Sequence, residues 1–213
     1  MNMAKLYFLG GESISKRNAR DINASAFQDA GGTPAVLVFP WARASFDKTY
    51  KRRKRLFDYF RSLGASTVDF ADYLDTTEEI TMKAQNSDLI YLTGGLTTVL
   101  LERLRSKSVD HLLHKYNRVI VGRSAGALAL CKQGILTSKN KQTHKIITGL
   151  RLVEFTVKVH YKPSEDTELK RLSKQEEKIY AIPERSALVY DNGALSSMGN
   201  VFLFQNGEKT RAD

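Results

Sequence analysis

The chain has 213 residues, 42% hydrophobic and 26% charged, the balance of a globular protein with a full core in one domain over 1–213. Lys plus Arg number 33 against 23 Asp plus Glu, giving +10, which fits an acidic substrate, a polyanion or solubility alone. No apolar run reaches the ~20 residues that span a bilayer, and the start from Met1 to Gly10, too short in its apolar part for a signal peptide, reads better as the first strand. A single Cys131 excludes an internal disulfide and points to a reducing cytoplasm.

In chain order, Lys5 to Leu9 reads as a strand ending in Gly10-Gly11. A polar helix follows from about Ser13 to Ala30 and stops at Gly31-Gly32. Ala35 to Phe39 is a buried strand closed by Pro40, and a basic helix over about Phe46 to Leu63 ends at Gly64. Its densest charges, Lys51-Arg52-Arg53-Lys54-Arg55, precede Leu56, Phe57, Tyr59 and Phe60 at helical spacing, so the cluster belongs to the solvated side of an amphipathic helix. A polyanion patch is the other reading. Thr67 to Phe70 is a shorter strand, about Thr77 to Gln85 a helix, and Asp88 to Thr93 a strand ending in Gly94-Gly95. Helices over Thr97 to Leu104 and Val109 to Tyr116 lead to a short β-branched run, Val119 to Val121.

Apolar strands without strict alternation, each followed by a helix, predict a parallel sheet covered on both faces. Ligands of such sheets bind beyond the carboxyl ends of the strands. Gly10-Gly11, Pro40-Trp41-Ala42, Gly94-Gly95 and Gly122-Arg123-Ser124 all fall there and are expected to line one crevice.

Around Ser124 the pattern is Gly122-Arg123-Ser124-Ala125-Gly126, with a strand before it and the helix formers Ala127 to Leu130 after it. This is the context of a nucleophile elbow, in which a sharp strand-to-helix turn lifts a serine hydroxyl out of the sheet. Gly122 and Gly126 leave room for the turn. The amide of Ala125 and the positive end of the new helix converge where an oxyanion would form. A tight turn without chemistry is the alternative. The α/β-hydrolase fold also carries such elbows, but too few residues follow Ser124 for its remaining strands.

Beyond the elbow helix, Leu150 to Tyr161 looks extended and about Asp166 to Glu177 helical. Ile179 to Ile182, Ala187 to Tyr190 and Val201 to Gln205 are short strand-like runs between turns such as Asp191-Asn192-Gly193 and Gly199-Asn200. They are expected as added antiparallel strands.

Thr93-Gly94-Gly95-Leu96-Thr97, Gly122 to Ala127, Val159-His160-Tyr161 and Ile182-Pro183-Glu184 together resemble the dipeptidase E and cyanophycinase family. The resemblance runs from the first strand to about Gln205. It implies a flavodoxin-like three-layer sandwich, the fold of class I glutamine amidotransferases, and a serine peptidase acting on short peptides. Ser124 would be the nucleophile and His160 the base, with an oxyanion hole from the amides of Gly95 and Ala125. Gly94, Arg123 and Tyr161 would contact substrate.

The residues agree on the base. His111 and His114 lie in a helix entering the elbow strand from its far end, and His144 sits in a polar run, Lys139 to Lys145, that reads as an exposed loop. His160 ends an extended apolar segment; a hydrogen-bonded structural histidine is the alternative. The aspartate that dipeptidase E relatives carry just past the elbow helix is missing from Thr137-Ser138-Lys139-Asn140-Lys141. Glu184 is the leading substitute, with a bracing carboxylate as its other reading, and Asn140 could orient the imidazole instead.

Family dipeptidases prefer an N-terminal aspartate, and Arg43, Arg123 and Lys162 are candidate cationic partners. The arginine that relatives place downstream of the histidine falls near Glu168, with Lys170 and Arg171 close by. No cofactor or metal is expected, because no His/Cys/Asp/Glu set has ligand spacing. The expected partner is a small peptide substrate, with a homodimer left open and neither membrane nor nucleic acid. The rival functions are a catalytically impaired binding protein for an anionic ligand or nucleic acid, and another acyl hydrolase such as an esterase.

Overall fold

Alternating burial explains the central sheet. In the computed structural model, which describes residues 3–137, 144–175 and 178–212 and only the backbone of 46–51, the first eleven elements alternate almost strictly. They are β1 (Lys5–Leu9), α1 (Arg20–Asp29), β2 (Ala35–Phe39), α2 (Phe46–Leu63), β3 (Thr67–Phe70) and α3 (Thr77–Gln85). β4 (Leu89–Leu92), α4 (Thr97–Ser106), α5 (Val109–Lys115), β5 (Val119–Arg123) and α6 (Ala125–Leu130) complete the series. Successive strand side chains enter opposite cores. Leu6, Phe8, Ile90, Leu92 and Ile120 pack with α4, α5 and α6. Tyr7, Leu9, Leu89, Tyr91, Val119 and Val121 pack with α1 and α2. A strand buried on both faces must be apolar throughout, as these runs are.

The order across the sheet places β1 beside β5, then β4, β2 and β3, all parallel. The carboxyl ends of β1, β2, β4 and β5 therefore open on one edge. This is the expected flavodoxin-like three-layer arrangement.

The first helix is shorter than its sequence suggests. A 3-10 turn at Ile14–Lys16 is followed by Arg17 in the left-handed region (φ 50), and α1 starts only at Arg20. Ile14 is buried and Glu12 accepts a bond from Asn23 Nδ2 at 3.0 Å, which draws this segment back over the sheet edge.

The second half departs further from expectation. It contributes β6 (Gln133–Thr137), β7 (His144–Thr148), β8 (Thr156–Val159), α7 (Asp166–Leu172), β9 (Ile179–Ile182), β10 (Ala187–Asp191), β11 (Ala194–Met198), β12 (Phe202–Gln205) and β13 (Glu208–Arg211). β10 joins the central sheet antiparallel to β1, and β11 pairs antiparallel with β10, as expected of added antiparallel strands. The other six form a second sheet, β13-β12-β9-β8-β6-β7, in which β6, β8 and β9 run parallel. Of the three added strands expected from the sequence, β10 and β12 pair antiparallel, while β9 pairs antiparallel with β12 and parallel with β8. The second sheet lies against α6, whose six residues are all buried between the two sheets. A helix made only of Ala, Gly and Leu is thin enough to be enclosed on both sides.

β11 and β13 are polar and carry no apolar run to announce them. Their hairpin turns do: Asn192-Gly193 (φ 47 and 92) and Asn206-Gly207 (φ 54 and 83) have the paired positive φ of a type I′ turn.

Candidate active site

β5 passes into α6 through Ser124, whose φ of 52° and ψ of −105° no unconstrained serine would choose. The turn is closed by contact. A Cβ on Gly122 would lie 2.6 Å from the Gly126 carbonyl carbon, and one on Gly126 would lie 2.5 Å from the Leu92 carbonyl oxygen. The Ser124 amide donates to Leu9 O at 2.9 Å, which fixes the elbow to the end of β1.

The loop after β1 also collects the other two side chains. His160 follows β8 and its amide donates to Gly10 O at 3.1 Å, while Arg185, just past β9, donates to Gly11 O at 2.9 Å. The Ser124 hydroxyl then stands 2.6 Å from His160 Nε2. On the far side of the ring, Nδ1 meets Glu184 Oε1 in a short hydrogen bond. Ser124, His160 and Arg185 all have φ between 52° and 61°, so left-handed backbone gathers where three loop ends converge. Such conformations cost of order 1–3 kcal/mol each and persist where surrounding structure enforces them.

A crevice of about 330 Å³ opens beside Ser124 and His160, with Gly94, Gly95, Arg43 and Arg123 in its wall. Of the strand ends singled out in the sequence, Gly94-Gly95 and Arg123-Ser124 line it, while Gly10-Gly11 and Pro40-Trp41-Ala42 do not and only the residues just after them, Glu12 and Arg43, reach its wall. Arg52 and Arg55 line it too. The basic cluster is therefore not a uniform solvated face. Arg53 pairs with Asp72 at 2.9 Å and lies over Phe70, Lys54 pairs with Asp58 at 2.7 Å, and Arg52 and Arg55, three apart on α2, turn toward the elbow. The side chain of Lys51 lies outside the described residues. Burial, helped by the neighbouring charges of Arg52 and Arg123, draws the Arg43 pKa down.

One carboxylate enters this arginine-rich wall. Glu12 accepts from Tyr91 Oη and Asn23 Nδ2, and burial pushes its pKa up against the opposing pull of Tyr91 and Arg123. Neither Glu12 nor the Arg52/Arg55 pair was legible as site material. The signal available was the i, i+3 spacing of the two arginines.

The remaining candidates divide. Gly95 borders the crevice, and Ala125, buried, begins α6 directly after Ser124. Tyr161 turns away from both: it packs against Phe202 and Phe204, its hydroxyl bonded to Asp166 and Lys209. Asn140 lies outside the described residues. His144, expected in an exposed loop, instead begins β7 with only 7% of its side chain exposed. His114 bonds Leu150 O at 2.8 Å, away from the elbow. Cys131 is buried, its thiol pushed up to about 12 by that burial, and offers no competing nucleophile. Among the described residues no group of His, Cys, Asp and Glu could hold a metal ion, and no helix is long and apolar enough to cross a membrane.

Comparison with known proteins bears on the same residues. An uncharacterized peptidase of Listeria monocytogenes is 30% identical over 108 residues, 47% of this chain and 53% of that protein, so the chain spans about half the length of the curated relative it matches. The crystal structure of a peptidase from an acI-B1 Actinobacterium superposes with a TM-score of 0.72 at 19% identity, covering 98% of this chain and 93% of that one. That of a Listeria monocytogenes protein provisionally titled peptidase E gives 0.66 at 22% identity, covering 92% and 98%. At these identities the two structures speak for the fold. The description of peptidase family S51 matches residues 6–198, a span holding the elbow, His160 and Glu184: the chain belongs to that family.

Proposed function

We propose that this protein is a serine peptidase of short peptides, with Ser124 as nucleophile, His160 as general base and Glu184 as the carboxylate that orients the imidazole. The observation that carries this reading is the hydrogen-bonded line from Ser124 Oγ through His160 to Glu184. Ser124 Oγ attacks the scissile carbonyl carbon while His160 Nε2 takes its proton. The tetrahedral oxyanion is received by the backbone amides of Gly95 and Ala125. The C–N bond then breaks and the amine leaves with the proton from His160. Water, deprotonated by His160, attacks the acyl ester, and Ser124 recovers its hydroxyl proton as the acid departs.

Arg43, Arg52, Arg55 and Arg123 around the crevice support an acidic residue on the acyl side of the cleaved bond. Glu184 supplies the carboxylate whose absence between Ser124 and His160 motivated a non-catalytic reading. The chemistry is that of acyl transfer, so a peptide is preferred over a simple ester because four arginines match an acidic, ionised substrate. A cytoplasmic setting rests on the lone, buried Cys131.

The test is labelling with a fluorophosphonate probe and mapping by mass spectrometry, alongside hydrolysis of Asp-Leu and Ala-Leu. Modification at Ser124 together with turnover of Asp-Leu is the expected result. A correctly folded protein left unlabelled at Ser124 sinks the proposal.

A further inference from the structure

Ser124 and His160 border a second cavity, larger than the arginine-lined crevice at about 770 Å³, between α6 and the segment leading into α7. Gly95 is common to both cavities, so the two meet at the elbow. A peptide bond held at Ser124 would therefore reach into both.

The second cavity is a built site. Lys158, on β8 two residues before His160, has 4% of its side chain exposed. Its ammonium donates to Val159 O at 2.6 Å and lies 3.2 Å from Glu165 Oε1. An ammonium has three donors, so one N–H has no partner among the described residues. Glu165 is fully occupied: it accepts from Thr137 Oγ1 at 2.9 Å and from the Lys162 amide at 3.0 Å, and faces His144 Nε2 at 3.4 Å. His144 is 7% exposed and its Nδ1, buried, has no hydrogen-bond partner among the described residues. A buried polar atom left unpaired calls for a ligand or solvent.

Charge in this cavity is also unbalanced. Lys158 and Lys162 line it with two carboxylates, Glu165 and Glu168, and Glu168 is already held by both Arg171 Nε and Nη2 at 2.9 and 2.6 Å, which leaves Glu165 facing two lysines. Burial pulls the Lys158 pKa down against the opposing pull of Glu165, and an anion entering beside it would favour the ammonium. Leu128, Ile135, Leu136 and Val159 supply an apolar part of the wall, beside the hydroxyl residues Thr97, Thr137, Ser164 and Thr167 and the charged cluster. An amino acid fits that division: its side chain against the apolar wall, its carboxylate at Lys158 and His144.

We propose that this second cavity is the leaving-group subsite, and that Lys158 and His144 bind the free α-carboxylate of the amino acid released on cleavage. The assignment rests on the serine peptidase reading, in which the arginine-lined crevice takes the acyl part. It restricts the enzyme to peptides that end one residue beyond the cleaved bond.

The test is calorimetric titration of the Ser124→Ala protein with Asp-Leu and with aspartyl-leucinamide, which differ only in that carboxylate. The acid should bind ~10-fold to 100-fold more tightly than the amide, the size of hydrogen bonds to a charged group. Lys158→Met combined with Glu165→Gln removes both members of the buried pair and should bring the two ligands within about threefold. His144→Gln should narrow the gap by itself, and the comparison in the unaltered cavity stands whether or not the double variant folds. Equal affinities, no binding of either ligand, or a gap that survives both cavity variants would overturn the proposal. Fluorophosphonate labelling of the wild-type protein separates the two readings. No labelling of Ser124 with the acid still preferred removes the catalytic reading and keeps the subsite. Labelling with no preference removes the subsite alone.

Discussion

Gly11 and His160 approach so closely that a Cβ on Gly11 would lie 2.6 Å from His160 Cε1, and equally close to both carboxylate oxygens of Glu184. Gly11, the second residue after β1, therefore acts as a template for the His160–Glu184 pair, since only a hydrogen on its Cα leaves room for both. Gly11→Ala should push the ring off its line to Ser124. The expected result is a fall in kcat of ~100-fold or more, since a 1 Å misplacement can cost that much. Fluorophosphonate labelling should slow in parallel, with the circular dichroism spectrum unchanged. An alanine variant with wild-type turnover would show that the ring does not need this contact.

Ser124 is strained, and the strain is separable from its chemistry. Ser124→Gly relaxes φ 52° and, among the contacts described above, removes only the hydroxyl's bond to His160, leaving the amide's bond to Leu9 O in place. A net gain near 1 kcal/mol, with Tm higher by about 2–4 °C, is expected together with loss of turnover. Differential scanning calorimetry reads the first and peptide hydrolysis the second. An unchanged or lower Tm would mean that the elbow does not store strain at this residue.

Glu184→Gln keeps the shape beside His160 Nδ1 and removes the charge that stabilises the imidazolium. Turnover should drop by as much as ~10⁴-fold with KM little changed, the scale seen when a triad carboxylate becomes an amide. Because the Glu184 side chain is 52% exposed, its removal should leave Tm almost unaltered. A lowered Tm with activity falling in step would instead make Glu184 a brace. Asn140→Ala is the control and should keep full activity.

Arg52 and Arg55 predict discrimination by charge. Converting both to Gln should raise KM for Asp-Leu by ~10-fold while leaving Ala-Leu nearly untouched. The wild-type preference should also weaken as salt rises, because both side chains are exposed. Parallel changes for both peptides would remove these arginines from specificity.

Glu165 gives the protein an acid-sensitive element. Burial would raise its pKa, but Lys158, the Lys162 amide and Thr137 outweigh burial and hold it below the ordinary value of 4.5. The folded state thus binds this proton less tightly than the unfolded chain. The stability it contributes is fully present above pH 4.5 and is lost as pH falls through the lowered value. Thermal melts from pH 7 to pH 3 should fall more steeply for wild type than for Glu165→Gln, the two curves converging at the acid end. Parallel curves would show that Glu165 is not coupled to folding.

What the sequence by itself determined is local. The elbow is legible because its requirements lie within five residues: a strand, two glycines that avoid backbone atoms, and a small-residue helix. The four apolar strands β1, β2, β4 and β5 are legible because burial on both faces leaves an unbroken apolar run, and their carboxyl ends then have to share an edge; β3, Thr-Val-Asp-Phe at the border of the sheet, is half exposed. Glu184 entered through a family-like segment, yet its contact with His160 depends on Gly10 and Gly11 tying two strands from the other sheet to the end of β1. Only the tertiary structure decided the second sheet, the burial of His144 and the division of the basic cluster. Periodicity reports whether a side chain faces inward, but not what it meets there. Arg52, Arg53 and Lys54 look alike in the sequence and differ because the crevice, Asp72 and Asp58 stand at different angles around one helix. Tyr161 follows the same rule: its neighbour His160 joins the site, while its own ring is claimed by Phe202 and Phe204 from strands formed some forty residues later.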